Sequence, residues 1–264
     1  MRHTLLIVWL SFFSLNLQAQ DKGFDLDKKK DGSLILGGAA LFIGGEIAKR
    51  QVETFSQAEI DALDPASVNA FDRGATRQSG THDDLVSTVV VLASGLAPLS
   101  VFTSEEGRRD FYPVAFMYGE TVLLVNGAIG MAKGLAHRTR PYVYNPSSDE
   151  PKDIRDARYS FFSGHTANAA AVCFLTASLV QEYSQRDLWK WVAWSGAVVV
   201  PGAVGVLRYT SGMHFPTDII TGYAVGAGVG LLVPYLHRKA LPEGLGKNLQ
   251  FNMSSNSFLL VYRF

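Results

Sequence analysis

A single cysteine in 264 residues excludes an internal disulfide. That residue, Cys173, lies inside an apolar run and reads as a small buried hydrophobe. Net charge is missing too: 24 Lys and Arg balance 24 Asp and Glu, which leaves no positive field to suggest a nucleic-acid partner. Charged residues make up 18% of the chain against 47% hydrophobic, and mean hydropathy is +0.10. That balance is apolar for a soluble enzyme yet low for a protein that is nearly all membrane. There is no internal repeat and no low-complexity tract. The length allows one large domain or two small ones.

What is present is a series of apolar runs. Residues 1–19 read as a secretory signal, with Arg2 and His3 as a positive start and Leu17-Gln18-Ala19 as a cleavage site. An uncleaved anchor is the alternative, and the segment is set apart from the fold. Residues 20–84 are expected to be a linker with short helices. Within them, 21–32 is dense in Lys and Asp, and 33–48 is apolar and glycine-rich. At about 1.5 Å per helical residue the latter is short for a bilayer, so a surface-lying or bundle-buried helix is expected rather than a crossing. Residues 85–102 carry no charge and are long enough to span. Runs at 111–132, 164–180, 189–206 and 219–236 follow, with Pro201 and Gly202 expected to kink the third of these. Glu120, inside the 111–132 run, is expected to be a paired helix-packing residue. Residues 241–264 form a tail whose last stretch, 249–264, reads as a β-hairpin or extended segment.

Three polar segments interrupt these runs. Arg208-Tyr-Thr-Ser-Gly-Met-His214-Phe-Pro-Thr-Asp218 brings a guanidinium, an imidazole and a carboxylate together. Pro216 suits the first position of a helix, and Asp218 then falls in its first turn, where the dipole favours a carboxylate. From there it can reach back to the ring of His214. Read alone, the segment is equally a helix cap with a satisfied histidine. Lys133-Gly-Leu-Ala-His-Arg-Thr-Arg140-Pro141 ends one run, and Phe162-Ser163-Gly164-His165 opens another. Ser163 is placed to cap a helix, whose free N–H groups favour an anion. Lys133, Arg140 and Arg208 are each ordinary helix-end cations when taken singly. Together they match the charge that spreads over a transferring phosphoryl group.

The three segments resemble the signature of the type 2 phosphatidic acid phosphatase superfamily, which reads K-x6-RP, PSGH and SR-x5-H-x3-D. The first motif matches in full; Phe162 stands where the second has proline, and Leu207 where the third has serine. The resemblance covers residues 85–237. It implies an all-α helical bundle of about six helices, largely transmembrane, with a core at 85–240. It also implies a phosphatase acting on phosphate monoesters or pyrophosphates, without metal or other cofactor. On the matching positions His214 is the nucleophile, Asp218 orients it, and His165 is the general acid. Lys133, Arg140, Ser163, Gly164 and Arg208 hold the phosphate. His137 is expected to be a neighbour, and Arg138 to add to the positive field.

If the runs at 85, 111, 163, 189 and 219 alternate across a membrane, all three motifs fall on one face. Positive loops on the other face put the motifs outside, as a cleaved signal also would. The expected partners are the membrane and a phosphorylated lipid: phosphatidylglycerol phosphate, undecaprenyl pyrophosphate or a lipid A phosphate. The rivals are a soluble periplasmic acid phosphatase, a metal hydrolase using His165, His214 and Asp218, a vanadium haloperoxidase, and a bundle that binds lipid phosphate without cleaving it.

Overall fold

The computed structural model describes residues 23–79, 81–239, 249–254 and 257–262. The expected signal, residues 1–19, lies outside them. Among the described residues six long helices form a bundle: α1 (Lys28–Arg50), α3 (Thr81–Ser94), α5 (Phe111–Ala136), α6 (Gly164–Tyr183), α7 (Asp187–Thr210) and α8 (Pro216–His237). Two short helices, α2 (Gln57–Asp61) and α4 (Glu105–Arg109), sit in the connections. Strands β1 (Leu249–Ser254) and β2 (Ser257–Tyr262) pair antiparallel near the C-terminus. The all-α bundle with a β-like tail stands as expected.

The sequence of α6 explains its place at the centre. Ala167, Ala169, Ala170, Ala171, Leu175, Ala177 and Leu179 have no exposed surface at all. Small side chains on α6 meet a glycine stripe on α8. A Cβ on Gly222, Gly226 or Gly230 would strike the carbonyl of Ser163, Ala167 or Ala171 respectively. This is the close helix approach that small residues at every fourth position permit. It locks α8 parallel to α6, so both helices begin at the same end of the bundle.

A second close approach corrects the reading of residues 20–48. Asp27 caps α1 by accepting from the backbone of Lys29 and Lys30. From Lys28 on, the charged stretch read as linker is therefore the first turn of a helix of 23 residues. Gly38 packs on Leu123 and Leu124, Gly45 on Gly130, and Gly134 on Ala48, so α1 runs parallel to α5 along its length. Among the described residues it is one of five helices long and apolar enough to cross a membrane, with spans at Lys28–Arg50, Asp83–Thr103, Phe111–Tyr144, Asp187–Thr210 and Pro216–His237. Their outer faces are apolar too: Leu36 on α1 is 73% exposed, Leu92 on α3 70% and Trp191 on α7 68%. A continuous apolar exterior of this kind is built for lipid rather than water. α7 continues through Pro201 to Thr210.

α5 and α7 end where α6 and α8 begin, and α3 starts at that same end. All three motifs are gathered there.

Candidate active site

Local chemistry sets each motif. α5 stops at His137, which takes a left-handed φ of 44° and places Nε2 2.7 Å from the Gly134 carbonyl oxygen. Pro141 then holds Arg140 in an extended conformation, φ −73° and ψ 149°. Ser163 caps α6, its Oγ lying 2.9 Å from Thr166 Oγ1 and accepting from Thr166 N. α7 closes through Gly212 at φ 71°, a conformation that suits glycine. The backbone N–H groups of Met213 and His214 both donate to the Arg208 carbonyl, at 3.2 Å. Ser163 N donates to Asp218 O at 3.1 Å, which ties the second motif to the third.

His214 lies at the centre and is 1% exposed. Its Nδ1 is 2.7 Å from the backbone carbonyl oxygen of Ser160. A carbonyl only accepts, so Nδ1 carries the proton and Nε2 carries the lone pair. Nε2 faces Arg140, with Nη1 3.5 Å away. Burial first, then the charges of Arg140, Arg208 and Lys133, push the imidazole well below its ordinary pKa. The ring is therefore held neutral and in the tautomer that presents Nε2 as a nucleophile.

Asp218 differs from expectation. Its carboxylate is 3.8 Å from His214 Nδ1, beyond hydrogen-bonding distance. Oδ2 instead accepts from the Ser160 hydroxyl at 2.6 Å and from Phe215 N at 2.9 Å, while Oδ1 pairs with Arg138. Asp218 fixes residue 160, whose carbonyl then fixes the ring. Arg138 differs as well. Its guanidinium bridges Asp218 and Asp72, the latter at 2.7 Å, and stacks over the Phe215 ring at 4.3 Å. It is a strut whose charge is spent on carboxylates rather than offered to substrate.

Asp72 was missed by sequence reading. It accepts from Thr217 N at 3.0 Å, Thr217 Oγ1 at 2.8 Å and Asn69 Nδ2 at 2.8 Å. Burial works against its charge, but donors from Asn69, Thr217 and Arg138 hold the carboxylate below its ordinary range.

The expected cations surround the ring. Arg140 is 4% exposed. Its Nε donates to Asp156 O at 2.8 Å and its Nη2 pairs with the Asp156 carboxylate at 2.9 Å, leaving Nη1 for His214 and the Met213 carbonyl. Arg208 is 3% exposed; it pairs through Nη1 with Asp84 and donates to Ser87 Oγ at 3.3 Å. Its Nε is buried without a partner, a donor ready for an anion. Lys133, in the last turn of α5, sets its ammonium 3.7 Å from where a Cβ on Gly164 would sit, beside the start of α6. Among the described residues it forms no ion pair. His165 Nε2 is 3.0 Å from Thr88 Oγ1 on α3, another partner that sequence reading did not supply. Phe162, in the proline position, is buried against Val125, Ile129, Ala167 and Ala171.

The structure thus brings Arg140, Arg208 and His214 into one buried cluster, Ser163 and Asp218 into contact with it, and Lys133, Gly164 and His165 to its edge at the start of α6. His165, His214 and Asp218 are not arranged as ligands of one metal. His165 Nε2 meets Thr88, the His214 lone pair at Nε2 faces Arg140, and the Asp218 carboxylate meets Arg138 and Ser160 instead.

Comparison with known proteins agrees with the motifs. The family model described as the PAP2 superfamily matches residues 114–242, which contain every motif residue. A lipid A 4'-phosphatase of Porphyromonas gingivalis is 35% identical over 112 residues, or 41% of this chain. That match spans 44% of the relative, less than half its length. A solved PAP2-type phosphatidylglycerolphosphate phosphatase from Bacillus subtilis is similar at 25% identity and a TM-score of 0.43, over 74% of this chain and 93% of that one.

Proposed function

From a chain whose residues 114–242 match the PAP2 superfamily model, we infer a membrane-embedded phosphatase that hydrolyses a phosphate monoester or pyrophosphate of a lipid. The observation that carries this reading is the His214 ring, held neutral with Nε2 directed at the Arg140 guanidinium. Phosphate bound by Lys133, Arg140, Arg208 and the α6 N-terminus lies in front of that lone pair. Nε2 attacks phosphorus, the N–P bond forms, and the ester P–O bond breaks. Burial, then the charges of Lys133 and Arg140, lower the pKa of the His165 imidazole to about 4; the negative charge of the bound phosphate favours its protonated form, which gives the proton to the departing oxygen. Water then attacks the phosphohistidine, His165 takes the proton, and the N–P bond breaks to release phosphate. Splitting the reaction in two replaces one very high barrier with two lower ones.

The apolar exterior favours a lipid substrate over a soluble phosphate, because headgroups arrive along the helices that deliver the site. A lipid A phosphate heads the candidates on account of the P. gingivalis relative, followed by phosphatidylglycerol phosphate and undecaprenyl pyrophosphate. The test is inorganic phosphate release by the purified chain from detergent-dispersed samples of all three and from a soluble monoester. Release from a lipid that His214→Ala abolishes supports the reading. Equal preference for the soluble monoester supports a non-specific acid phosphatase, and release from none leaves a phosphate-binding bundle.

The side of the membrane needs a new argument, because α1 adds a crossing. A signal that delivers residue 20 to the exterior, followed by a spanning α1, puts the motifs inside. We propose that they lie outside; lysines and arginines stand at both ends, Lys28, Lys29, Lys30, Arg108, Arg109 and Arg238 at the far end and Lys49, Arg50, Arg73, Arg77, Lys152, Arg155 and Arg158 at the motif end, so the side is a question for labelling.

A further inference from the structure

At the end of the bundle away from His214, three elements each send one metal-ligating side chain to a common point. They are Asp31 from the first turn of α1, Glu120 from α5 and His237 from the last turn of α8. His237 lies 19 residues beyond Asp218 on the same helix, a separation of about 28 Å. All three are buried, at 5%, 1% and 0% exposure. One donor atom from each lies within 4.8 Å of the others.

The ring of His237 is oriented as a ligand. Its Nδ1 is 2.8 Å from the Val233 carbonyl oxygen, so Nδ1 carries the proton and Nε2 is left bare. Nε2 stands 3.0 Å from Asp31 Oδ1 and 3.2 Å from Glu120 Oε2. Neither contact has hydrogen-bond geometry: His237 Nε2, Asp31 Oδ1 and both Glu120 oxygens are buried without a partner. Three of these atoms, His237 Nε2, Asp31 Oδ1 and Glu120 Oε2, stand together, and unpaired polar atoms in an apolar bundle carry a large desolvation cost. Adjacent ligands of four-coordinate zinc, each about 2.0–2.2 Å from the metal, stand about 3.3 Å apart, close to the separations seen.

Charge points the same way. With both carboxylates deprotonated, as metal ligands are, they and a neutral imidazole carry two negative charges, which a divalent cation cancels. An imidazolium cancels one, and its N–H would meet neither oxygen. Lys30 is the nearby cation, but its ammonium is 3.9 Å from Asp31 Oδ1 and donates to the Leu236 carbonyl at 2.9 Å.

We propose that Asp31, Glu120 and His237 bind a divalent transition-metal cation of the zinc type, at a structural site remote from the phosphate site. The ion joins α1, which lies outside the matched family segment, to α5 and α8. It takes no part in the hydrolysis, so its test is independent of the activity.

The full chain is purified in detergent without chelator, exposed to zinc, desalted and assayed by elemental analysis. The expected content is about one zinc per chain in the wild type and in His214→Ala, falling about tenfold or more in Glu120→Gln and Asp31→Asn. Cobalt in place of zinc gives visible absorption in the wild type and none in those variants. If the variants fail to fold, the wild type's thermal transition decides: zinc raises it and chelation lowers it. Wild-type protein that retains no zinc, variants that retain as much as wild type, or a transition that neither treatment moves would overturn the proposal.

Discussion

His214 and Ser160 are joined by a hydrogen bond of 2.7 Å from the ring Nδ1 to the backbone carbonyl. The hydroxyl of the same serine donates to Asp218 at 2.6 Å. The acid therefore acts on the ring through residue 160 and does not set the tautomer itself.

Asp218→Asn is accordingly expected to lower kcat about 10–100-fold with a small change in KM, less than the loss in His214→Ala. The carbonyl still fixes the ring, but Asn offers Ser160 and Arg138 a weaker acceptor. Steady-state kinetics of both variants check this. Equal losses would mean that the carboxylate contacts the ring directly during turnover.

The pH dependence follows from the neutral ring. In the proposed mechanism the reactive form of His214 is unprotonated, and its folded pKa lies well below the ordinary value because of burial and the charges of Arg140, Arg208 and Lys133. As pH falls through about 6.5, where a free histidine protonates, the ring stays neutral. The acid limb of kcat/KM is expected well below that pH. A limb near the ordinary histidine value would place His214 in a wetter, less positive site than the structure shows.

Arg138→Ala tests the strut. Asp218 and Asp72 have side chains with no exposure, and both pair with this guanidinium. Removing one partner of a buried ion pair leaves charge uncompensated and costs about 3–5 kcal/mol. A lower thermal midpoint in detergent is expected, together with a loss of kcat, and Arg138→Lys should recover part of the stability. An unchanged midpoint would show that Arg138 is free to serve the substrate.

Sidedness is open to labelling. In a Cys173→Ala background, a cysteine at Glu105 is expected to be shielded from a membrane-impermeant maleimide in intact cells, and one at Arg155 to react. The reverse pattern would put the motifs inside, with residues 1–19 crossing or cleaved.

Much of this site was legible in the sequence, for a physical reason. Cations and histidines at the mouths of apolar runs are conspicuous, and their spacing fixes which helix ends they occupy. The parts that were not legible have no such signal. Any residue supplies a carbonyl, so nothing marked Ser160. Thr88 and Asp84 reach His165 and Arg208 across 77 and 124 residues, a contact set only by the packing of α3. The start of α1 was hidden because Lys28–Lys30 and Asp31 read as a solvated linker. In the fold they are a capped first turn, and Asp31 is buried.

The most direct test of the central claim is to trap the enzyme during turnover. Wild-type protein is mixed with a lipid phosphate labelled in its phosphoryl group, quenched in alkali within one turnover, and the label on protein is counted. A phosphohistidine is stable to alkali and lost in acid. The account predicts label of that stability in wild type, more of it in His165→Ala if dephosphorylation slows, and none in His214→Ala. Phosphate release without any labelled protein, or label that persists in His214→Ala, would contradict it.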